Sequence, residues 1–166
     1  LTVIKPSKTS GISCSNSFSK NSKNNESIII DGETHRLNLS LRYVFLDKFE
    51  AGLDLPVVSH GGGGLDGFIE DWHGFFGLPN ADREDYPRDT LKYAYMSDNQ
   101  EVVNVDSSTT GLGDLMLSFG YQLYRGQNQN PRSLALRTGI KLPTGDSGDL
   151  HGSGGTDVSL RIEGTD

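Results

Sequence analysis

The sequence predicts an all-β protein, specifically an antiparallel transmembrane β-barrel, on three observations. Apolar and polar residues alternate with a period of two in five segments. The chain carries 21 glycines, and it has no apolar run near the roughly 18 residues that a membrane-spanning helix needs. Its connections are unequal, some being short polar turns and one very long. Because successive side chains of a strand point to opposite faces, each segment supplies one apolar and one polar face, as in a barrel wall.

The predicted strands come in chain order. They cover residues 36–45, 49–57, 115–124, 134–142 and 158–163. The longer segments have about the length of a tilted strand that crosses the hydrocarbon of a membrane. A soluble antiparallel sheet with one buried face alternates in the same way, so the alternation alone leaves both environments open.

The segment before these strands is different. Residues 1–27 are rich in Ser, Lys and Asn, which is typical of a flexible segment, although Ile12 and Cys14 also fit one weak strand. The barrel portion is then residues 28–166, with a loop inserted at 59–111. About six strands are fewer than the eight of the smallest single-chain barrels, which favours a fragment of a larger barrel. The absence of a signal peptide and of a terminal aromatic residue favours the same interpretation.

Connections between the strands predict which end faces outward. Residues 46–48 form a tight hairpin and residues 125–131 a polar turn, whereas 59–111 is too long for an ordinary connection. Short turns at one end and long loops at the other are typical of outer-membrane barrels, whose long loops face outside the cell. Within the long loop, residues 91–96 and 101–105 predict a further hairpin.

The long loop also contains a predicted helix. After four glycines at 61–64, apolar residues recur at helical spacing over residues 65–76. This pattern predicts a short amphipathic helix whose apolar stripe packs on the barrel mouth or the lumen wall. Its aromatic residues Trp72, Phe75 and Phe76, with His73, are candidates for a gate or for binding a partner.

Composition restricts the partners. The net charge of −7 excludes nucleic acid, because phosphate binding requires a concentrated basic surface. The single Cys14 excludes an intramolecular disulfide. The remaining expected partners are the lipid and lipopolysaccharide of the outer membrane and a small solute.

Catalytic patterns are weak, and we expect neither an enzyme nor a cofactor or metal site. Asp66, Glu70 and His73 share one face of the predicted helix, but they lack the His-Glu-x-x-His spacing and form the polar side of an amphipathic helix equally well. Ser59 and His60 are adjacent, so in a strand they point to opposite faces and do not form a nucleophile and its base. His151 is interpreted as a loop residue.

The polar faces of the strands are predicted to line the lumen. Charges of both signs either pair across strands or line a water-filled pore that sorts solutes. Arg42 and Glu50 flank the tight hairpin, and we expect them to form a cross-strand ion pair. The predicted pore-lining residues are Arg36, Arg42, Glu50, Asp54, Gln122, Arg137, Lys141 and Arg161.

Several motifs together identify a family. They are Asp-Gly-Glu-Thr at 31–34, Leu-Pro-Val-Val-Ser-His at 55–60, the run from Leu65 to Pro79, and Lys-Leu-Pro-Thr-Gly-Asp at 141–146. With these motifs the chain resembles the DUF3187 family of uncharacterised proteobacterial proteins, for which outer-membrane barrels are expected. The resemblance implies a fold and a location in a Gram-negative outer membrane, and it implies no activity.

Three hypotheses for function follow. The first is passive transport of a small solute through the lumen, with the Arg and Lys side chains as the selectivity element and the helix as a gate. The second is a non-conducting barrel whose outer loops bind a surface partner through the aromatic residues. The third and weakest is an outer-membrane hydrolase.

Overall fold

The alternating segments form one sheet in the computed structural model, which describes residues 7–64, 66–79, 87–126 and 132–165. The strands are β1 Ser7–Lys23, β2 Glu26–Phe45, β3 Phe49–Gly61, β4 Lys92–Ser97, β5 Gln100–Val105, β6 Thr109–Leu112, β7 Leu115–Arg125, β8 Ser133–Leu142 and β9 Asp157–Thr165. A helix, α1 Asp66–Phe76, follows β3. The predictions of a mostly antiparallel β chain and of one short helix are therefore confirmed.

The main part of the sheet has the order β1-β2-β3-β7-β8-β9, and every neighbouring pair is antiparallel. This agrees with the prediction of about six strands. At the end of the sheet that carries the long loop, β4 pairs with β2 and β5 with β4, while β6 pairs with β3. The sheet curls into a half-barrel.

The tight turns show why the chain reverses where it does. Between β2 and β3, Leu46 and Asp47 have φ of 50° and 55°, and between β4 and β5, Asp98 and Asn99 have φ of 50° and 62°. Such left-handed residues give hairpin turns the twist that their strands require. Both hairpins are therefore as predicted. Leu65 and residues 127–131 of the predicted polar turn lie outside the described residues.

The N-terminal segment, predicted to be flexible or one weak strand, forms β1. It pairs with β2 from Ser7 opposite Arg42 to Lys23 opposite Glu26. Cys14 and Ile12 are both exposed on it. Apolar and polar residues alternate poorly in β1, and most of its side chains are exposed to solvent.

One face of the sheet is concave and polar. Glu50 of β3, Gly120 of β7 and Arg137 of β8 lie in one cross-strand row. Glu50 and Arg137 form an ion pair of 3.0 Å although β7 runs between their strands. Gly120 has no side chain between them, so Glu50 and Arg137 meet above it, a contact that the inside of a curved sheet favours. We call this side the concave face.

The opposite, convex face is apolar and exposed. Leu41 of β2, Leu117 of β7 and Ile140 of β8 are each more than one third exposed, and Tyr43 is 66% exposed. An ordinary soluble sheet buries its apolar side chains. In this sheet the apolar residues cover the outside of the curve and the charges fill the inside.

Aromatic rings cluster on the convex face near the β2–β3 hairpin. Phe49 lies between Phe45 and Tyr121, with ring centroids 5.6 Å and 4.9 Å away. Phe119 joins them at 5.8 Å from Phe49, and Tyr43 stacks on Phe45. The apolar side chains of β2 thus end, at the hairpin, in a belt of aromatic rings.

Candidate functional site

The concave face holds the candidate site, and its most buried charge is Glu50. The Glu50 side chain is only 3% exposed and meets the Arg137 guanidinium, which is 21% exposed. The other nitrogen of that guanidinium lies 3.4 Å from Glu163 of β9. One arginine therefore connects carboxylates from two strands.

A second charged row lies nearer the long loops. In register across the sheet it contains Asp54, Met116, Lys141 and Asp157. Lys141 forms an ion pair with Asp157, and its Nζ lies 3.6 Å from Asp114. This lysine also has carboxylates on both sides.

Arg42 departs from the expected pairing. It forms an ion pair with Asp54, in which Nη2 lies 2.9 Å and 2.7 Å from the two carboxylate oxygens, so the predicted pair with Glu50 is wrong. The register explains the difference, since Arg42 lies opposite Gly52, while Glu50 lies opposite Val44 and faces Arg137 instead. A Cβ at Gly52 would be only 2.7 Å from Arg42 Cδ. The glycine therefore lets the arginine lie flat along the wall of the concave face.

All eight predicted pore-lining residues lie on the concave face. Gln122 is buried at its hairpin end, where it donates hydrogen bonds to the carbonyls of Tyr124 and Leu134. The cations of this face are Arg36, Arg42, Arg137, Lys141 and Arg161, and its carboxylates are Glu50, Asp54, Asp114, Asp157 and Glu163. The concave face is thus charge-balanced. Among the described residues, Arg36 and Arg161 have no ion-pair partner.

A cleft of about 470 Å³ opens at the loop end of this face. Arg36, Asp54 and Lys141 line its strand side, and the loop around His151 and Ser153 lines the other. The cleft has both charged and apolar side chains in its lining, is open to solvent and is large enough for a small solute.

Asp114 ties the loop that borders this cleft. Its carboxylate accepts hydrogen bonds from the backbone N–H of Ser153 at 2.8 Å and of Gly145 at 3.1 Å. These N–H groups, Ser153 first, hold the pKa of Asp114 below its usual value. The loop from 144 to 155 is therefore attached to the rim of the concave face.

Sequence reasoning missed a buried histidine pair beside the cleft. The rings of His60 and His151 stack with their centroids 5.5 Å apart. The carbonyl of Leu150, which is 90 residues from His60 in the sequence, lies 3.3 Å from His60 Nε2. Thr34 bonds His60 Nδ1 at 2.9 Å, and Thr109 bonds His151 Nε2 at 2.6 Å. His151 is buried and anchors the loop on the sheet.

The hydrolase hypothesis gains no geometric support at Ser59. Its hydroxyl is 2.7 Å from that of Thr110, whereas the imidazole of His60 bonds Thr34. The two neighbours thus make separate contacts, as the alternation of a strand requires. Of the acidic face predicted on α1, Glu70 accepts a hydrogen bond of 2.9 Å from Arg88, and the side chain of Asp66 lies outside the described residues.

The helix α1 is oriented opposite to expectation. Its aromatic stripe faces outward, with Trp72 53% and Phe75 83% exposed, so the expectation that the stripe packs on the barrel is wrong. The opposite side of the helix carries Glu70, which is buried and paired with Arg88, and the partly buried His73. Trp72 and Phe76 pack on each other at 4.7 Å. No helix in the described part of the chain has the length and apolarity to cross a membrane.

Comparison with known proteins identifies a family. The model of a family described as "Protein of unknown function (DUF3187)" matches residues 7–166. No curated protein and no solved structure matches the chain.

Proposed function

The chain belongs to the DUF3187 family, and on this premise we propose that it is an outer-membrane β-barrel protein that lets a small solute pass through its lumen. The observation that carries the proposal is the distribution of side chains over the curved sheet. Charges lie on the concave face, where Glu50 is buried, and exposed apolar side chains such as Leu41 and Phe119 lie on the convex face. A barrel in lipid requires this arrangement, with an apolar exterior and a polar interior.

The dimensions of the apolar surface support a membrane location. The convex side of β2 is apolar from Leu37 to Phe45, eight residue steps or about 27 Å along the strand. A tilt of about 40° reduces this to about 21 Å, close to the roughly 25 Å apolar band of such barrels. The aromatic belt at Phe45 and Phe49 lies where a girdle at the membrane interface is expected.

Transport is supported by the way in which the long cations are held. Arg42 lies along the wall over Gly52, and Arg137 is held between Glu50 and Glu163. Side chains fixed to the wall leave the space in front of it to water. Rows of paired charges also create transverse fields, by which pores sort small polar solutes. With cations and carboxylates balanced, we expect weak ion selectivity rather than the strong anion preference of an arginine-lined pore.

Conductance in planar bilayers tests the proposal. The full-length protein should give discrete conductance steps with little preference between K⁺ and Cl⁻. The combined substitution Arg36→Gln and Arg161→Gln removes two cations without a described ion-pair partner, and it should shift the preference towards K⁺. Lys92→Gln, in β4 of the outer hairpin, is the matched control and should leave the preference unchanged. Folded protein that inserts without conducting would refute transport.

The exposed stripe of α1 favours a second candidate, a non-conducting barrel whose outer loop binds a surface partner. Because α1 follows the loop end of β3, its aromatic rings lie at the opposite end of the strands from the aromatic belt. Aromatic residues at both ends of an apolar band, Phe and Tyr at one and Trp and Phe at the other, suit the interfaces of a lipid bilayer. The partner we infer is the lipid of the outer leaflet.

The only tryptophan of the chain makes this contact measurable. In vesicles whose acyl chains carry bromine, Trp72 fluorescence should be quenched and its emission shifted to the blue. Iodide in the water should then quench it little. Phe75→Ala, which removes the most exposed ring of the stripe, should weaken the bromine quenching. Quenching by iodide without quenching by bromine would refute the lipid contact. Silent bilayers combined with bromine quenching would select this candidate over transport.

A further inference from the structure

Three metal-binding side chains meet where β1 pairs with β2. Cys14 lies directly opposite His35 in the register, and Glu33 is two residues before His35, so all three point to the same side of the sheet. The Cys14 sulfur, a carboxylate oxygen of Glu33 and an imidazole nitrogen of His35 all lie within 4.8 Å of one another. Within the described residues, no other group of three such side chains comes together in this way.

The carboxylate of this group is held in place by its surroundings. Glu33 Oε1 accepts hydrogen bonds from the backbone N–H of Gly64 at 3.2 Å and from the amide of Asn16 at 3.3 Å. Its other oxygen, Oε2, lies 3.5 Å from Nε2 of His35. The turn of glycines after β3 passes over it, and Gly63, with φ of 71°, leaves no room for a side chain beside the carboxylate. Hydrogen bonds that orient a ligand are typical of metal sites.

We propose that Cys14, Glu33 and His35 bind a divalent metal ion, and that their chemistry selects Zn²⁺. A thiolate, an imidazole and a carboxylate together suit zinc better than the hard cations, which prefer oxygen ligands alone. On binding, the thiol of Cys14 loses its proton to water and its sulfur bonds the metal. Cys14 and His35 are exposed, so the fourth position of the tetrahedron faces solvent and takes a water molecule.

The required rearrangement is small. Ligand atoms around tetrahedral zinc lie about 3.5 Å apart, from bonds of about 2.3 Å to sulfur and 2.0 Å to nitrogen. The widest separation within the group therefore has to shrink by about 1 Å. The exposed side chains of Cys14 and His35 can supply this by rotation, while Glu33 stays where Gly64 and Asn16 hold it.

The location gives the ion a structural effect. The Cys14–His35 pair is next to the Ile12–Leu37 pair, where the apolar side of β2 begins. A metal ion there bonds β1 to β2 at the loop end of the sheet and lies beside the glycine turn that leads to α1. Binding should therefore protect the amides of β1 from hydrogen exchange.

Cobalt titration of the reduced, detergent-folded protein tests the site. One Co²⁺ per chain should bind and give the near-ultraviolet charge-transfer band of a cobalt–thiolate bond, and one Zn²⁺ should displace it. Cys14→Ala should abolish the band, and His35→Ala should weaken Zn²⁺ binding by more than about 100-fold. Asn16→Ala, which removes a hydrogen bond to Glu33, should weaken it by about tenfold. His73→Ala, on α1, is the control histidine and should bind as the parent does.

Results against the proposal are equally definite. If Co²⁺ gives no thiolate band, or if Zn²⁺ affinity is the same in Cys14→Ala and His35→Ala as in the parent, the site does not exist. The two substituted side chains are exposed, and circular dichroism of each variant checks that the sheet is intact. A stoichiometric band with unchanged exchange of the β1 amides would refute the strand-bonding effect while leaving the metal site established.

Discussion

Replacing Arg137 should destabilise the sheet far more than replacing Arg42, although both arginines form ion pairs on the same concave face. The difference lies in the partner that remains. Arg137→Gln leaves the Glu50 carboxylate, only 3% exposed, without its guanidinium. Arg42→Gln leaves Asp54, which is 26% exposed and can be hydrated.

The magnitudes follow from this burial. Removing one partner of a fully buried pair costs about 3–5 kcal/mol, because a buried charge loses its compensation. Arg137 is itself 21% exposed, so we place Arg137→Gln at the lower end, about 3 kcal/mol. The half-buried pair of Arg42 should be worth about 1 kcal/mol. With a urea dependence of about 2–3 kcal/mol per molar, the Arg137 variant should unfold about 1–1.5 M earlier.

Urea unfolding in detergent, followed by far-ultraviolet circular dichroism, measures both variants. The double variant Glu50→Gln with Arg137→Gln separates the effect of the Glu50 charge from that of the lost contact, since it removes the carboxylate charge as well. It should recover about 2 kcal/mol relative to Arg137→Gln alone. If the double variant is no more stable than Arg137→Gln, or if the Arg42 and Arg137 variants unfold together, the buried Glu50 charge does not set the penalty.

Four further substitutions have opposite or graded outcomes in the same unfolding assay. Gly52→Ala should cost about 1–3 kcal/mol, because the added methyl would overlap the Ser118 hydroxyl. Gly120→Ala should be nearly neutral, because its added methyl would lie 3.4 Å from the nearest neighbouring atom. Equal effects of the two substitutions would refute the steric explanation. Leu46→Asn should stabilise by about 0.5–1 kcal/mol, since Asn tolerates the φ of 50° in the hairpin. The pKa of Asp114 is lowered in the folded protein, so this carboxylate adds stability above its unfolded pKa of 3.8 and loses it as the pH falls through the folded pKa. Asp114→Asn should therefore reduce the loss of stability at acid pH. An unchanged loss of stability in this variant would refute the argument.

The strands and hairpins were predictable because their signals are local. Alternation over residues 36–45 and 49–57 predicted the second half of β2 and most of β3, and the three residues between them leave room only for a hairpin, whereas the half of β2 before residue 36 was not predicted. The distribution of the predicted pore-lining residues follows from the same period of two, and all eight share one face. Their partners do not follow from it. Arg42 pairs with Asp54 rather than Glu50 because the exact register, and a glycine opposite the arginine, decide where its side chain lies.

Contacts between distant segments left no signal in the sequence. Cys14 meets His35, and His60 meets His151, only after the sheet and the loop at 144–155 have formed. Each of these side chains is ordinary in its own segment. A histidine in a glycine-rich loop is usually exposed. The burial of His151 against His60 depends on the space above Gly111, where a Cβ would overlap the imidazole of His151.

The orientation of α1 shows a limit of another kind. Helical periodicity correctly predicted an amphipathic helix, because it reports that one side is apolar and the other polar. It does not report which side the protein covers. In water an apolar side is usually covered, but in α1 the buried residue is Glu70, which is paired with Arg88, and Trp72 is exposed. The same inversion distinguishes the convex face of the sheet, so helix and strands together present their apolar side chains to the surroundings. The membrane location proposed above would account for both inversions at once, and the quenching of Trp72 by brominated lipid tests it at the residue where the inversion is most direct.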